Sequence, residues 1–207
     1  MSVATLFTIG HSNHPLEIFL ELLERHAISA LADVRSSPYS RFNPQFNREL
    51  LQPRLKDRAI AYVYLGDALG PRSDDPACYV NGKVQYRRLA ATEKFRRGLE
   101  RLRNGMNSHR VALMCAEKDP IGCHRMILIC RELRSEPMEI LHILEDGSLE
   151  SLAASEQRLL KQLRLRQLTL FDSVRDLILR GYDQQAEKIA YRRDDPRQAS
   201  GSEEEAS

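Results

Sequence analysis

Apolar positions along the chain alternate between strand-like runs and helix-like stripes, with little between them. Thr5-Leu6-Phe7-Thr8-Ile9 is a run of β-formers and predicts a first strand. Pro15 suits a first helical turn, and Phe19, Leu22 and Leu23 form the buried stripe of the helix it opens. Residues 28–34 read as a second strand, residues 47–58 as a basic helix that Pro53 kinks or splits, and residues 59–65 as a third strand. A helix over residues 86–104 places Leu89, Phe95, Leu99 and Leu102 inward and ends at Gly105. Residues 110–116 form a fourth strand, apolar on both faces and therefore central. A short helix over 123–134 and a fifth strand over 139–143 follow.

Strand and helix repeated in this way predict an α/β fold: a mostly parallel sheet of about five strands with helices on both faces. Beyond residue 150 come a helix with Leu159, Leu160 and Leu163 inward and another over residues 174–190. The division expected is an α/β domain over 1–150, a helical extension packed on it over 151–193, and a disordered acidic tail over 194–207.

Charge adds one feature. The net charge of +2 conceals a basic middle: residues 35–110 carry 16 basic against 7 acidic side chains, while residues 1–34 and 111–150 are net acidic. That stretch is a footprint for a phosphate-bearing partner or a set of solvated helix faces. No window holds the roughly 20 apolar residues of a membrane span, and the first ten residues lack a secretory layout. The cytoplasm is the default compartment, and Cys78, Cys115, Cys123 and Cys130 are expected as free thiols. With no phosphate-binding glycine loop and no GxGxxG, no cofactor is expected.

Parallel sheets bind ligands outside the carboxyl ends of their strands. Two long loops emerge there, residues 36–46 and 66–85, and loops of that length are lids or binding loops. The first strand is followed by Gly10-His11-Ser12-Asn13, and the second by Asp33-Val34-Arg35 and Ser37-Pro38-Tyr39-Ser40-Arg41. The fourth is followed by Cys115-Ala116-Glu117 and then Cys123-His124-Arg125. Together the TIGHSN, DVR…SPYSRFNPQF and CAE…P…CHR segments resemble the bacterial domain-of-unknown-function family 488, over about residues 7–190. The resemblance implies the fold and the location of a site, and no reaction.

The residues carry the chemistry. His11 can serve as acid or base near neutral pH, or hydrogen-bond its own loop. Asp33 can orient His11, act as a base, or pair with Arg35. The forks of Arg35, Arg41 and Arg125 suit phosphate or carboxylate, with solvated surface arginine as the alternative; Arg125 also stands near a helix N-terminus. Cys115 is a nucleophile if His124 and Arg125 lend it positive charge, and otherwise a buried thiol beside the site. Its spacing to Arg125 departs from the Cys-x5-Arg loop of cysteine phosphatases. Zinc held by Cys115, Cys123 and His124 lacks a fourth ligand and a standard spacing, so no metal is expected. Glu117, at the exit of a buried strand, is an acid/base candidate whose pKa burial can raise.

In the tail, Gln167-Leu168-Thr169-Leu170-Phe171 resembles the peptide by which bacterial polymerases dock on the sliding clamp. There Leu170 and Phe171 would fill an apolar pocket beside Gln167; the alternative is a packed link between helices. The reading that follows is an enzyme of hydrolytic type acting on a nucleotide, nucleic acid or other phosphate-bearing molecule. His11, Asp33, Glu117 and His124 are its catalytic candidates. Ser12, Asn13, Arg35, Tyr39, Arg41, Cys115 and Arg125 are its substrate-binding ones. A non-catalytic binding module using the same arginines, recruited to the clamp through Gln167, Leu170 and Phe171, is the alternative.

Overall fold

The computed structural model describes residues 4–166 and 173–193. In chain order the main elements begin with β1 (Ala4–Gly10), α1 (Leu16–Arg25), β2 (Ala30–Asp33), α2 (Arg48–Asp57), β3 (Ala61–Tyr64) and α3 (Gly66–Leu69). A hairpin of β4 (Tyr79–Val80) and β5 (Lys83–Val84) leads into α4 (Tyr86–Ala90), α5 (Glu93–Met106) and β6 (Val111–Cys115). A π-helical turn (Arg125–Cys130) runs into α6 (Arg131–Leu133), followed by β7 (Met138–Ile143), β8 (Leu149–Ser151), α7 (Leu152–Gln162) and α8 (Val174–Ile189).

Five strands are parallel and a sixth is antiparallel, in the order β3-β2-β6-β1-β7-β8. Strand β6 is buried at every position and lies between β2 and β1, which is why its sequence is apolar on both faces. Alternation along the strands sends side chains into two cores. Phe7, Ile9, Leu31, Ala112 and Met114 pack with Phe19 and Leu23 of α1 and Leu51 and Leu55 of α2. Leu6, Ala32, Leu113 and Cys115 face the other way, toward α5, the π-helical turn, α7 and α8. The chain therefore turns to one face after β1 and to the other after β6, although these strands are neighbours. A crevice between oppositely turning loops is where such sheets hold ligands.

Several local expectations are corrected. Pro53 does not split the helix, since α2 runs through it from Arg48 to Asp57; it removes one intrahelical N–H, and Leu51 and Leu55 on either side hold the helix together by burial. The helix read over 86–104 is two helices, because Thr92 accepts a hydrogen bond from the Phe95 amide and starts α5 afresh. Gly105 does not end it; α5 continues to Met106. The loop over 66–85 holds α3 and the small hairpin, and β8 adds an antiparallel edge. Helices α7 and α8 share the core of the sheet: Leu159, Leu160 and Tyr182 are buried in it, and Tyr182 Oη donates to the buried Glu156 carboxylate at 2.9 Å. Among the described residues no helix is long and apolar enough to cross a membrane.

The exit loop of β6 crosses directly over the end of β1. His11 N donates to Cys115 O at 2.8 Å and Ser12 N to Ala116 O at 2.9 Å. A Cβ on Gly10 would stand 1.9 Å from the Glu117 carbonyl oxygen, so only glycine permits the crossing. Gly10→Ala is expected to cost about 1–3 kcal/mol or more by displacing backbone. Leu50→Ala, at a side chain 55% exposed, should stay within about 0.5 kcal/mol. Urea denaturation of both variants measures the difference.

Candidate functional site at the carboxyl edge

Strand alternation also sorts the polar residues at this edge. Asp33 pairs in register with Met114, one position before Cys115. Asp33 therefore points to the α1/α2 side and Cys115 to the opposite one, and two polar clusters form where the sequence reading expected a single pocket.

On the α1/α2 side the centre is a buried ion pair. Asp33 is fully buried and Arg35 is 6% exposed. Arg35 Nη2 donates to Asp33 Oδ2 at 2.6 Å and Nε to Oδ1 at 2.9 Å, while Tyr62 Oη donates to Oδ2 at 2.8 Å. Arg35 Nη2 also donates to Phe46 O at 2.8 Å, which fastens the loop between β2 and α2. Charges removed from water in this way are tolerated only with full pairing.

His11 sits above the pair and is stacked on Phe46 with ring centroids 4.3 Å apart. Its Nδ1 donates to Ser12 O at 2.9 Å, which leaves the Nε2 lone pair toward Arg35 Nη1 at 3.4 Å. Burial, then the neighbouring Arg35 charge, lowers the His11 pKa to about 4; the Ser12 carbonyl, Asp33 and Glu117 oppose this without prevailing. The imidazole is thus neutral at ordinary pH. Ser12 follows at φ 48°, a left-handed conformation costly for a residue with a Cβ.

On the other side Cys115, Cys123 and His124 are buried around the Glu117 carboxylate. Cys115 Sγ and Cys123 Sγ lie 2.8 Å and 2.9 Å from Glu117 Oε2, and 3.5 Å and 3.8 Å from His124 Nδ1. His124 Nε2 donates to Val34 O at 2.9 Å, so Nδ1 faces the thiols. Arg125, fully buried, donates from Nη1 and Nη2 to the Glu117 and Lys118 carbonyls at 2.5 Å and 2.9 Å. Its Nε has no hydrogen-bond partner among the described residues.

Burial pushes both thiols up, Cys123 well above its usual range. Glu117 reverses the sequence expectation. Burial does act to raise its pKa, but His124 and the two thiol donors outweigh it and hold the carboxyl below the usual value. The Glu117 residue as a whole is exposed; only its carboxylate turns inward.

The edge thus gathers His11, Asp33 and Arg35 in one cluster and Cys115, Glu117, His124 and Arg125 in the other. Of the two arginines read as anion forks, Arg35 directs Nε and Nη2 to the protein itself, and Arg125 directs one bond from each Nη. Ser12 is half-buried and Asn13 exposed beside His11. Tyr39 and Arg41 are exposed on the 36–47 loop, with Tyr39 Oη donating to Glu49 at 2.5 Å. Gln167, Leu170 and Phe171 lie outside the described residues. Sequence reasoning missed Tyr62 and Phe46. The signal for Tyr62 was parallel pairing: it stands opposite Leu31, two residues before Asp33. It also left out Glu117 as the fourth partner of Cys115, Cys123 and His124; one donor atom from each lies within 4.8 Å of the others. Two surface depressions, one lined by Arg134, Met138 and Glu156 and one by Asp67, Arg97 and Arg101, contain none of these candidates.

The family described as Domain of unknown function DUF488 matches residues 15–131. The matched stretch contains Asp33, Arg35, Cys115, Glu117, Cys123, His124 and Arg125, and begins after His11. No curated protein and no solved structure matches the chain.

The low His11 pKa fixes a pH response. Below about 6.5 the unfolded chain takes up a proton on His11 that the folded protein refuses until about 4. Stability is therefore expected to fall as pH drops through that window, by about 1.4 kcal/mol per pH unit from this residue. His142, buried and lowered to about 3, adds a slope of the same sign. His11→Asn should flatten the dependence, read from urea midpoints across the window; an unchanged slope would contradict the assignment.

Proposed function

The chain belongs to the family of domain of unknown function DUF488, and because that name assigns no reaction, we propose from the residues that it is an enzyme of hydrolytic type acting on an anionic substrate, a nucleotide or nucleic acid. One observation carries the reading. Five of the candidates, His11, Asp33, Arg35, His124 and Arg125, are buried in two clusters at the carboxyl edge, where an inert fold would bury apolar groups.

The loop that covers them supports the substrate class. Arg41 is exposed and makes no ion pair among the described residues; beside it Phe42 is 90% exposed and Tyr39 is 53% exposed. A cation beside the open Phe42 ring suits phosphate on one side and a base on the other. Arg48, also exposed, lies over the Tyr62 and Tyr64 rings at 5.9 Å and 5.8 Å and extends the basic rim. In this reading His11 is the general base, since its neutral Nε2 carries a lone pair. Asp33 positions it through Arg35. Access follows movement of the 36–47 loop, because Phe46 covers the His11 ring.

A second reading, a binding module without turnover, is favoured by the burial of His11, whose imidazole is closed off beneath Phe46. The two separate by assay. On single-stranded oligonucleotides and nucleotides, Arg41→Ala should weaken binding and lower the log–log salt slope by about 0.7. His11→Asn should leave binding intact and reduce hydrolysis about 10²–10⁴-fold. Binding without hydrolysis by the parent protein selects the second reading, and absence of both removes the anionic substrate.

A further inference from the structure

We propose that Cys115 Sγ, Cys123 Sγ, His124 Nδ1 and Glu117 Oε2 form a four-coordinate site for a zinc-class divalent cation. The donor set is the first argument. Two thiolates and an imidazole are borderline-soft ligands that select zinc over magnesium or calcium, and a carboxylate completes the tetrahedron.

Spacing is the second. Zinc–sulfur bonds of about 2.3 Å and zinc–nitrogen bonds of about 2.0–2.1 Å set tetrahedral S···N separations of about 3.5 Å. The two thiols stand 3.5 Å and 3.8 Å from His124 Nδ1. The Glu117 oxygen, 2.8 Å and 2.9 Å from the sulfurs, must retreat, and it belongs to the one exposed residue of the four.

The surroundings form the third argument and are independent of the donors. A metal-bound histidine almost always donates its other ring nitrogen to a carbonyl or carboxylate, which fixes the tautomer. His124 Nε2 does so to Val34 O, leaving Nδ1 aimed at the sulfurs. The Arg125 amide lies 3.5 Å from Cys123 Sγ, a contact that favours thiolate. Two thiolates, a carboxylate and a divalent cation carry one net negative charge, and the fully buried Arg125 guanidinium compensates it.

The loop bearing Glu117 and Cys123 is braced from outside. Asp119 caps the Ile121 amide at 3.1 Å, Arg158 of α7 clamps Asp119 at 2.8 Å and 2.9 Å, and Gln185 of α8 donates to Ile121 O at 3.0 Å. Donors held this way need little ordering on binding.

The test uses the full chain, stripped with a chelator and titrated with Co²⁺ and then Zn²⁺. It reads metal without turnover, so failure of the hydrolytic reading leaves it untouched. One Co²⁺ per chain is expected, with thiolate-to-cobalt charge-transfer absorption and the intense visible bands of a four-coordinate ion, all displaced by Zn²⁺. Cys115→Ser and Cys123→Ser should weaken binding by at least about 100-fold, the upper end of what losing an outer hydrogen-bond partner costs. Cys78→Ser and Cys130→Ser, buried thiols outside the cluster, should bind as the parent does. Should the first two variants fail to fold, alkylation of the parent in urea below its transition decides. Zn²⁺-dependent protection confined to Cys115 and Cys123 supports the site. Absence of Co²⁺ binding, or protection spread equally over four thiols, overturns it.

Discussion

The Asp33–Arg35 pair is the interaction on which the carboxyl edge depends. Asp33 closes β2, and Arg35, two residues on, turns back to bond it while reaching Phe46 O and Pro38 O across the following loop. Phe46 is thereby held against both His11 and Phe19, so one guanidinium joins strand, loop and the α1 core. Neither charge is affordable alone in that position, since an unpaired buried ion costs several kcal/mol. Gly66 lets the chain after β3 pass within contact of the Arg35 carbonyl, so the backbone around the pair is as constrained as its side chains.

A second constraint acts across the sheet. Because β1 and β6 are neighbours whose following segments turn to opposite faces, the loops meet over Gly10. The same geometry divides the polar residues. His11 and Asp33 are oriented with the α1/α2 core, while Cys115 is oriented with the core of α5, α7 and α8. Val34 O, between Asp33 and Arg35, accepts from His124 and connects the two clusters through a single peptide.

The two clusters differ in chemical capacity. The first offers a neutral imidazole and a fixed ion pair beneath an exposed loop bearing Arg41 and Phe42. The second offers two high-pKa thiols, an ionised carboxylate and an oriented imidazole, a set with more affinity for a cation than for an electrophile. Burial pushes the Cys115 thiol up, which works against its acting as a nucleophile. It does not remove metal ligation, because a cation replaces the protons.

Local periodicity alone carried the element types. The β-forming run at Thr5–Ile9, the stripe of Phe19, Leu22 and Leu23, and the two-faced apolar run before Cys115 each have one low-energy way to bury their side chains. The motifs at the strand ends likewise gave the edge its location, since parallel sheets expose their loops there. What the sequence could not contain was which face each candidate takes. That depends on strand register, set by pairing between residues about 80 positions apart, such as Asp33 with Met114. Nor could it show that Arg35 and Arg125 turn inward, because a guanidinium follows whichever carbonyls the fold brings near. Glu117 as fourth partner of the thiols is the same case. Its partners all lie within residues 115–124, yet the bend that turns its carboxylate onto the thiols is held by contacts with Gly10, α7 and α8, which no local pattern encodes.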